Sequence, residues 1–353
     1  MDFFLEKAKE QQLNFGAQEV GRANIKVIGS GGSGNNMVTW LYKRGIKGAE
    51  ILACNTDTQH LNISEADKKF LIGKDITRGL GCGGFPEKGK DSAVESINEI
   101  KELLKPSDMV FVCAGMGGGT GTGSAPVIAQ VARDLGAIVV GVVTMPFTIE
   151  RARLEKAEFG LDALRRTTDT VITIDNNRLV KIAGNLPIQQ AFAVANELIA
   201  TMIKGIVETI SMPSLVNLDF ADVHAIMKNG GIAAIGVGTS DTANRVPEAV
   251  KGALENPLLD IDYNGATGAL IHVWGGTDLT LDEINQAGEL VTDKLDEDAN
   301  VIWGARVSED MNGKLMVMTI VTGVNTPFAY TKRGLVQERK TYNDELGIEL
   351  LND

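Results

Sequence analysis

Short apolar runs of strand length recur along the chain from residue 24, separated by stretches whose apolar positions fall three and four apart. IKVIG (25–29), EILAC (50–54), KKFLI (68–72), MVFVCA (109–114), AIVVGVV (137–143) and VITI (171–174) read as buried strands. Between them Val94, Ile97, Ile100 and Leu104 mark one helical face. Strands alternating with helices predict right-handed βαβ units and an α/β, Rossmann-like, mainly parallel sheet covered on both faces. A long pattern then runs over 188–211, with Phe192, Val194, Leu198, Ile199, Met202, Ile206 and Ile210 on nearly every side. Such a helix is normally buried between layers, so it is expected to connect two domains. A smaller α+β unit follows, with strand runs at 232–238, 266–276, 300–307 and 314–323. It has a helix near 243–254 and a Thr280/Glu283 capping box opening another. The expected division is an N-terminal helical arm (1–22), a first domain (23–187), the connecting helix (188–211), a second domain (212–325) and a tail (326–353).

Composition narrows the function. The chain has 353 residues, 44% apolar and 23% charged, ordinary values for a globular protein of two domains. Its longest apolar stretch, near 137–143, falls far short of the ~20 residues that cross a bilayer, and the acidic, amphipathic start is no secretory signal. No direct membrane insertion is therefore expected. Cys54, Cys82 and Cys113 read as reduced packing residues of a cytoplasmic protein. The net charge is −12 and no basic cluster occurs, which argues against nucleic-acid binding. Any bound phosphate must be held by backbone N–H groups, helix N-termini and a metal ion. His60, His224 and His272 lack metal-ligand spacing and are assigned no role.

Two glycine loops supply such amides. The first strand runs into Gly29-Ser30-Gly31-Gly32-Ser33-Gly34-Asn35-Asn36 and a helix. Alone this pattern equally fits a dinucleotide-binding fold, leaving an NAD-dependent oxidoreductase as a competing reading. After the strand at 109–114 comes Gly115-Met116-Gly117-Gly118-Gly119-Thr120-Gly121-Thr122-Gly123-Ser124. This concave row of amides with two hydroxyls suits two or three phosphates and a Mg²⁺ shell. No Walker-type lysine motif occurs.

The run G-G-G-T-G-T-G-S (117–124) resembles the phosphate loop of the tubulin/FtsZ family, and the likeness extends over about residues 24–324. The segment Glu150-Arg151-Ala152-Arg153 and the N-terminal arm are most similar to archaeal members. The resemblance implies a GTPase of prokaryotic cell division that binds GTP/GDP with Mg²⁺ and assembles with itself into head-to-tail filaments at the mid-cell division site. It places Gly31, Gly32, Ser33, Asn35 and Asn36 at the nucleotide, with Asn55, Thr56 and Asp57 in the loop after the second strand. Gly81, Gly83 and Gly84 fall in a loop that senses the γ-phosphate. Gly115, Gly117, Gly118, Gly119, Thr120, Gly121, Thr122 and Gly123 form the main phosphate cradle. Pro146, Glu150 and Arg153 fall on the sugar side, and Asn176, Phe192 and Glu197 on the guanine side. Phe85 stands where bacterial members usually carry asparagine, and Glu197 where aspartate is commoner. A division paralogue that acts as a scaffold with weak hydrolysis is the alternative that Phe85 keeps open.

Asn217, Asp219 and Asp222 (in NLDFAD) follow the long helix. A helix of that length spans ~30 Å at about 1.5 Å per residue, so these acids cannot reach the nucleotide of their own chain. The resemblance implies that they enter the GTP site of the next subunit and orient the attacking water. Alternatively Asp219 and Asp222 are helix caps. The resemblance also implies that the C-terminal tail docks a membrane-anchoring or regulatory division protein, through Leu346, Ile348, Leu350 and Leu351.

Overall fold

β1 (Ile25–Ser30), β2 (Ala49–Asn55), β3 (Lys68–Leu71), β4 (Met109–Gly115), β5 (Ile138–Met145) and β6 (Thr170–Asp175) pair in parallel in the order β3-β2-β1-β4-β5-β6. The computed structural model describes residues 23–325 apart from Pro213, Asn217, Asn229 and 256–260. The N-terminal arm, the tail and Asn217 thus lie outside the described residues. β1 and β5 are buried along their whole length, as continuous apolar runs in a doubly covered sheet require. The chain winds from β1 outward to β3, then crosses back to lay β4 on the other side of β1. That reversal opens a crevice beyond the carboxyl ends of β1 and β4, where ligands of open α/β sheets bind.

Helices fill both faces. On one, Met37, Val38 and Leu41 of helix Gly31–Arg44 and Ile199, Met202, Ile203 and Ile206 of helix Ile188–Ser211 join the core. On the other, Ala93, Ile128, Ala132, Leu161 and Leu164 come from helices Pro86–Glu95, Thr120–Asp134 and Ala152–Thr167. The single helical face read through Val94, Ile97, Ile100 and Leu104 is divided between Pro86–Glu95 and Ile97–Leu104. Ser96 leaves helical geometry at the junction, and its hydroxyl accepts a bond from the Gly73 amide at 3.2 Å.

The second half holds β7 (Gly231–Ser240), β8 (Gly268–Gly275), β9 (Asn300–Val307) and β10 (Leu315–Thr322). β10 lies antiparallel between β7 and β8, and β9 runs parallel to β8 at the edge. Helices Arg245–Leu254 and Leu281–Thr292 cover it around Val246, Val250, Val273, Val291 and Val317. β6 meets β7 over Thr170↔Gly231 and Val171↔Ile232, joining both halves into one ten-stranded sheet.

The central helix Ile188–Ser211 is long and apolar enough by composition to cross a membrane, yet it is a core helix here. Its buried residues concentrate from Ala195 onward, while Ile188 is 71% exposed and Phe192 40%. The expectation of burial on every side therefore fails over its first turns, which overhang the crevice. Replacing Ile203, buried in a core cluster to which both halves contribute, by alanine should cost about 2–4 kcal/mol. Urea unfolding should record this as a lower midpoint with an unchanged m-value.

Candidate functional site

Both glycine loops leave the carboxyl ends of adjacent strands. β1 ends at Ser30 and its helix begins with Gly31; β4 ends at Gly115 and its helix begins at Thr120. Gly31 has φ +72°, and a Cβ there would lie 2.8 Å from the Gly121 amide nitrogen. The two helix starts therefore meet backbone to backbone. Neither first turn carries an acid, and neither N-cap residue, Ser30 or Gly119, bonds the free amides with a side chain. Two sets of unbonded N–H groups and two positive dipole ends thus face one space. Hydroxyls tie the arrangement together. Ser30 Oγ and Ser124 Oγ are 2.5 Å apart, and Thr120 Oγ1 is 2.6 Å from Thr56 Oγ1.

The space is a cleft of about 810 Å³, within the range of small-molecule sites. Its far end is more apolar, with Pro146, Phe147, Ile149, Ile188 and Phe192. The Phe147 and Phe192 rings meet edge to face at 6.2 Å, leaving a platform for a flat ring. Glu150 accepts from the Phe147 amide and pairs with Arg153 at 2.7 Å. Asn176 and Asn196 complete the wall with amides.

Of the residues singled out in the sequence, Gly31, Gly32, Ser33, Asn36, Gly115, Gly118, Gly119, Thr120, Gly121, Pro146, Glu150, Arg153, Asn176 and Phe192 line the cleft. Others stand behind it. Thr122 Oγ1 accepts from Gly117 N at 2.9 Å, closing the loop. A Cβ at Gly123 would lie 2.0 Å from Pro86 O, so that glycine serves helix packing. Asn55 Oδ1 accepts from Thr56 N, while Asp57 caps helix Thr58–Ile63. Gly81, Gly83 and Gly84, all at positive φ, shape a loop that packs on the cradle. A Cβ at Gly119 would lie 2.6 Å from Cys82 Cβ and 3.2 Å from Gly84 N.

Two placements differ from the sequence reading. Asn35 is fully buried, its amide atoms without partners among the described residues, while Asn36 faces the cleft about 100° farther round the helix. Glu197 does not line the cleft. It accepts from Trp40 Nε1 at 2.7 Å and Arg44 Nε at 2.8 Å, fastening the central helix to helix Gly31–Arg44. The cleft-facing residue is its neighbour Asn196, one helical turn from Phe192 and on the same face. That i, i+4 spacing was the available signal. His60, also lining the cleft, was passed over for want of a partner in the sequence.

Asp219 and Asp222 form a reciprocal capping box at the start of helix Phe220–Met227. Asp222 N donates to Asp219 Oδ1 at 2.8 Å and Asp219 N to Asp222 Oδ2 at 3.2 Å. One oxygen of each carboxylate has no partner among the described residues. All three cysteines are free and buried, and burial pushes the Cys54 and Cys113 thiols up to about 12.

The geometry has known counterparts. Residues 24–184 match the model of the Tubulin/FtsZ family, GTPase domain, and residues 231–325 that of the FtsZ family, C-terminal domain. Cell division protein FtsZ 2 of Methanocaldococcus jannaschii is 57% identical over 88% of this chain and 82% of its own length. FtsZ 2 of Halobacterium salinarum is 52% identical over 90% and 81%. A solved structure described as an empty FtsZ dimer of M. jannaschii superposes with a TM-score of 0.80 at 48% identity, covering 91% of this chain and 92% of that one.

Burial raises the Glu197 carboxyl, but hydrogen bonds from Trp40 and Arg44 outweigh it and hold the group below the usual carboxylate range. The pair stabilises the fold above the ordinary carboxylate value of about 4.5. That contribution is lost as pH falls through the lower folded value. Because the pair is partly solvated, Glu197→Gln should lose only about 0.5–1 kcal/mol at pH 7. Denaturation followed from pH 7 to 3 should show the deficit closing below about pH 4.5, with nucleotide affinity unchanged at pH 7.

Proposed function

The chain belongs to the FtsZ family of cell-division proteins, tubulin-like GTPases, and on that footing we propose that a second copy completes its active site in a polymer. Membership sets aside the NAD-dependent oxidoreductase. The observation that carries the proposal is a separation. The helix whose first turns overhang the cleft runs 24 residues, ~36 Å at about 1.5 Å per residue, and Asp219/Asp222 follow its far end in the chain.

In the proposed complex the two uncapped helix starts hold the phosphates, with Thr120 offering a hydroxyl. Phe147 and Phe192 flank the base, and Asn196 reads its edge, its oxygen accepting from ring N–H donors and its amide donating to the ring carbonyl. Among the described residues no cluster of three or more His, Cys, Asp or Glu side chains fits a metal. Mg²⁺ would thus be held chiefly by phosphate oxygens and water beside the Thr120 hydroxyl, and it offsets developing charge. The capping box fixes the two aspartates and leaves one oxygen of each to orient a water for in-line attack on the γ-phosphate of the neighbouring chain. Such a head-to-tail contact uses different surfaces on each partner and extends into an open filament. The M. jannaschii relative described as a dimer supports self-association. The proposed setting is the cytoplasm at the mid-cell division site, with the tail, outside the described residues, docking a membrane-anchoring or regulatory protein.

Phe85 favours the second reading, a scaffold with weak hydrolysis. It is 56% exposed and flanked by Lys88 and Lys156 at 5.8 and 5.6 Å, an arrangement the smaller, polar asparagine would not reproduce.

Phosphate release measured against protein concentration decides between the readings. A shared site predicts a threshold and then rising specific activity; a scaffold predicts a low, flat rate. Light scattering should rise on adding GTP with Mg²⁺ but not GDP. Asp222→Ala should keep GTP binding and lose about 100-fold or more in turnover. Mixing it with Gly118→Trp, which blocks the cleft, should recover part of the activity at hybrid junctions.

A further inference from the structure

The chain carries a net charge of −12, yet its cleft must hold a polyanion. Among the described residues, only two that can bear positive charge, Arg153 and His60, line that cleft. Arg153 is paired with Glu150 at 2.7 Å, and both belong to the segment that faces the sugar end. His60 stands at the other end, beside the first glycine loop. Its Nε2 lies 3.5 Å from where a Cβ at Gly32 would sit, nearer than any other ring atom. Gly32 belongs to the uncapped first turn of helix Gly31–Arg44. The ring therefore borders the space into which those free amides point.

The backbone of His60 is pinned on both sides. Its N–H donates to Asp57 Oδ1 at 3.2 Å, and its carbonyl accepts from Ser64 Oγ at 2.8 Å and from Ser64 N at 3.2 Å. Nδ1 is buried and has no hydrogen-bond partner among the described residues. A buried N–H without an acceptor is costlier to leave than a bare lone pair. The neutral ring therefore keeps its proton on Nε2, the nitrogen facing Gly32 and the cleft.

We infer that His60 is a phosphate-contacting residue, its Nε2–H donating to a phosphate oxygen of the bound guanine nucleotide alongside the amides of the first glycine loop. The inference rests on the nucleotide-binding reading and deepens it, because it assigns a side chain that distinguishes a phosphorylated ligand from a nucleoside at this end. The anchored backbone and the unbonded inner nitrogen hold that N–H in place before the ligand arrives, which limits the ordering cost of binding.

Calorimetric titration of the full chain with GDP, GMP and guanosine tests it, guanosine being followed by competition where it is weak. Relative to wild type, His60→Ala should bind GDP about tenfold more weakly, the loss of one hydrogen bond to a charged group. Guanosine affinity should stay within about twofold, since one merely structural change would move both ligands alike. His60→Gln keeps a donor at similar reach and should recover part of the GDP affinity; His60→Phe keeps the ring without the donor and should not. Unchanged GDP affinity in the alanine and phenylalanine variants overturns the assignment, as does an equal loss for GDP and guanosine. Should wild type bind no guanine nucleotide at all, the nucleotide reading itself fails, an outcome separable from a failure of His60.

Discussion

The structure depends on one contact, the meeting of two helix starts where Gly31 approaches the Gly121 amide. Each helix brings unbonded N–H groups, and a free amide in a dry environment needs a partner. Setting two such ends side by side concentrates positive potential where no lysine stands. An acidic chain can thereby bind a triphosphate without a basic patch. The sheet order makes the contact possible, since only the reversal between β1 and β4 sets these two loops side by side. The second layer then follows: Thr56 against Thr120, Cys82 and Gly84 against Gly119, and Thr122 closing on Gly117.

The central helix links this cradle to the rest of the molecule. Its first turns supply Phe192 and Asn196 to the cleft, its middle is clamped to helix Gly31–Arg44 through Glu197, and its far end leads to the aspartates. The clamp joins the helix that carries the phosphate-facing amides to the helix that carries the ring-facing wall. The β6–β7 junction is slight by comparison, two residue pairs long.

Much of this was legible in the sequence because the strongest signals are local. Doubly buried parallel strands are continuous apolar runs, and each of the ten runs read in the sequence coincides with a strand of the sheet. The glycine loops were legible for the same reason. What escaped depended on rotation or on distant neighbours. Glu197 and Asn196 differ by one position, but one step on a helix turns a side chain by about 100°. No periodicity tells which of two polar neighbours faces a cleft unless the opposite wall is known. His60 escaped because a lone histidine has no spacing to read; its meaning comes from Gly32, far away in the chain. The break at Ser96 escaped because its hydroxyl bonds Gly73, a partner visible only in three dimensions.

Capping and catalysis appear as rival readings of Asp219 and Asp222; the capping box is present, and it leaves room for the proposed catalytic role. Each carboxylate has two oxygens, and the capping box engages one of each pair. Those bonds hold the side chains in single orientations, which a surface aspartate otherwise lacks. A carboxylate that must polarise a water delivered by another molecule has no pocket of its own to orient it. The cap supplies that orientation in advance. On the proposed reading, the structural role is therefore the condition under which the two acids would act on a site belonging to a neighbour.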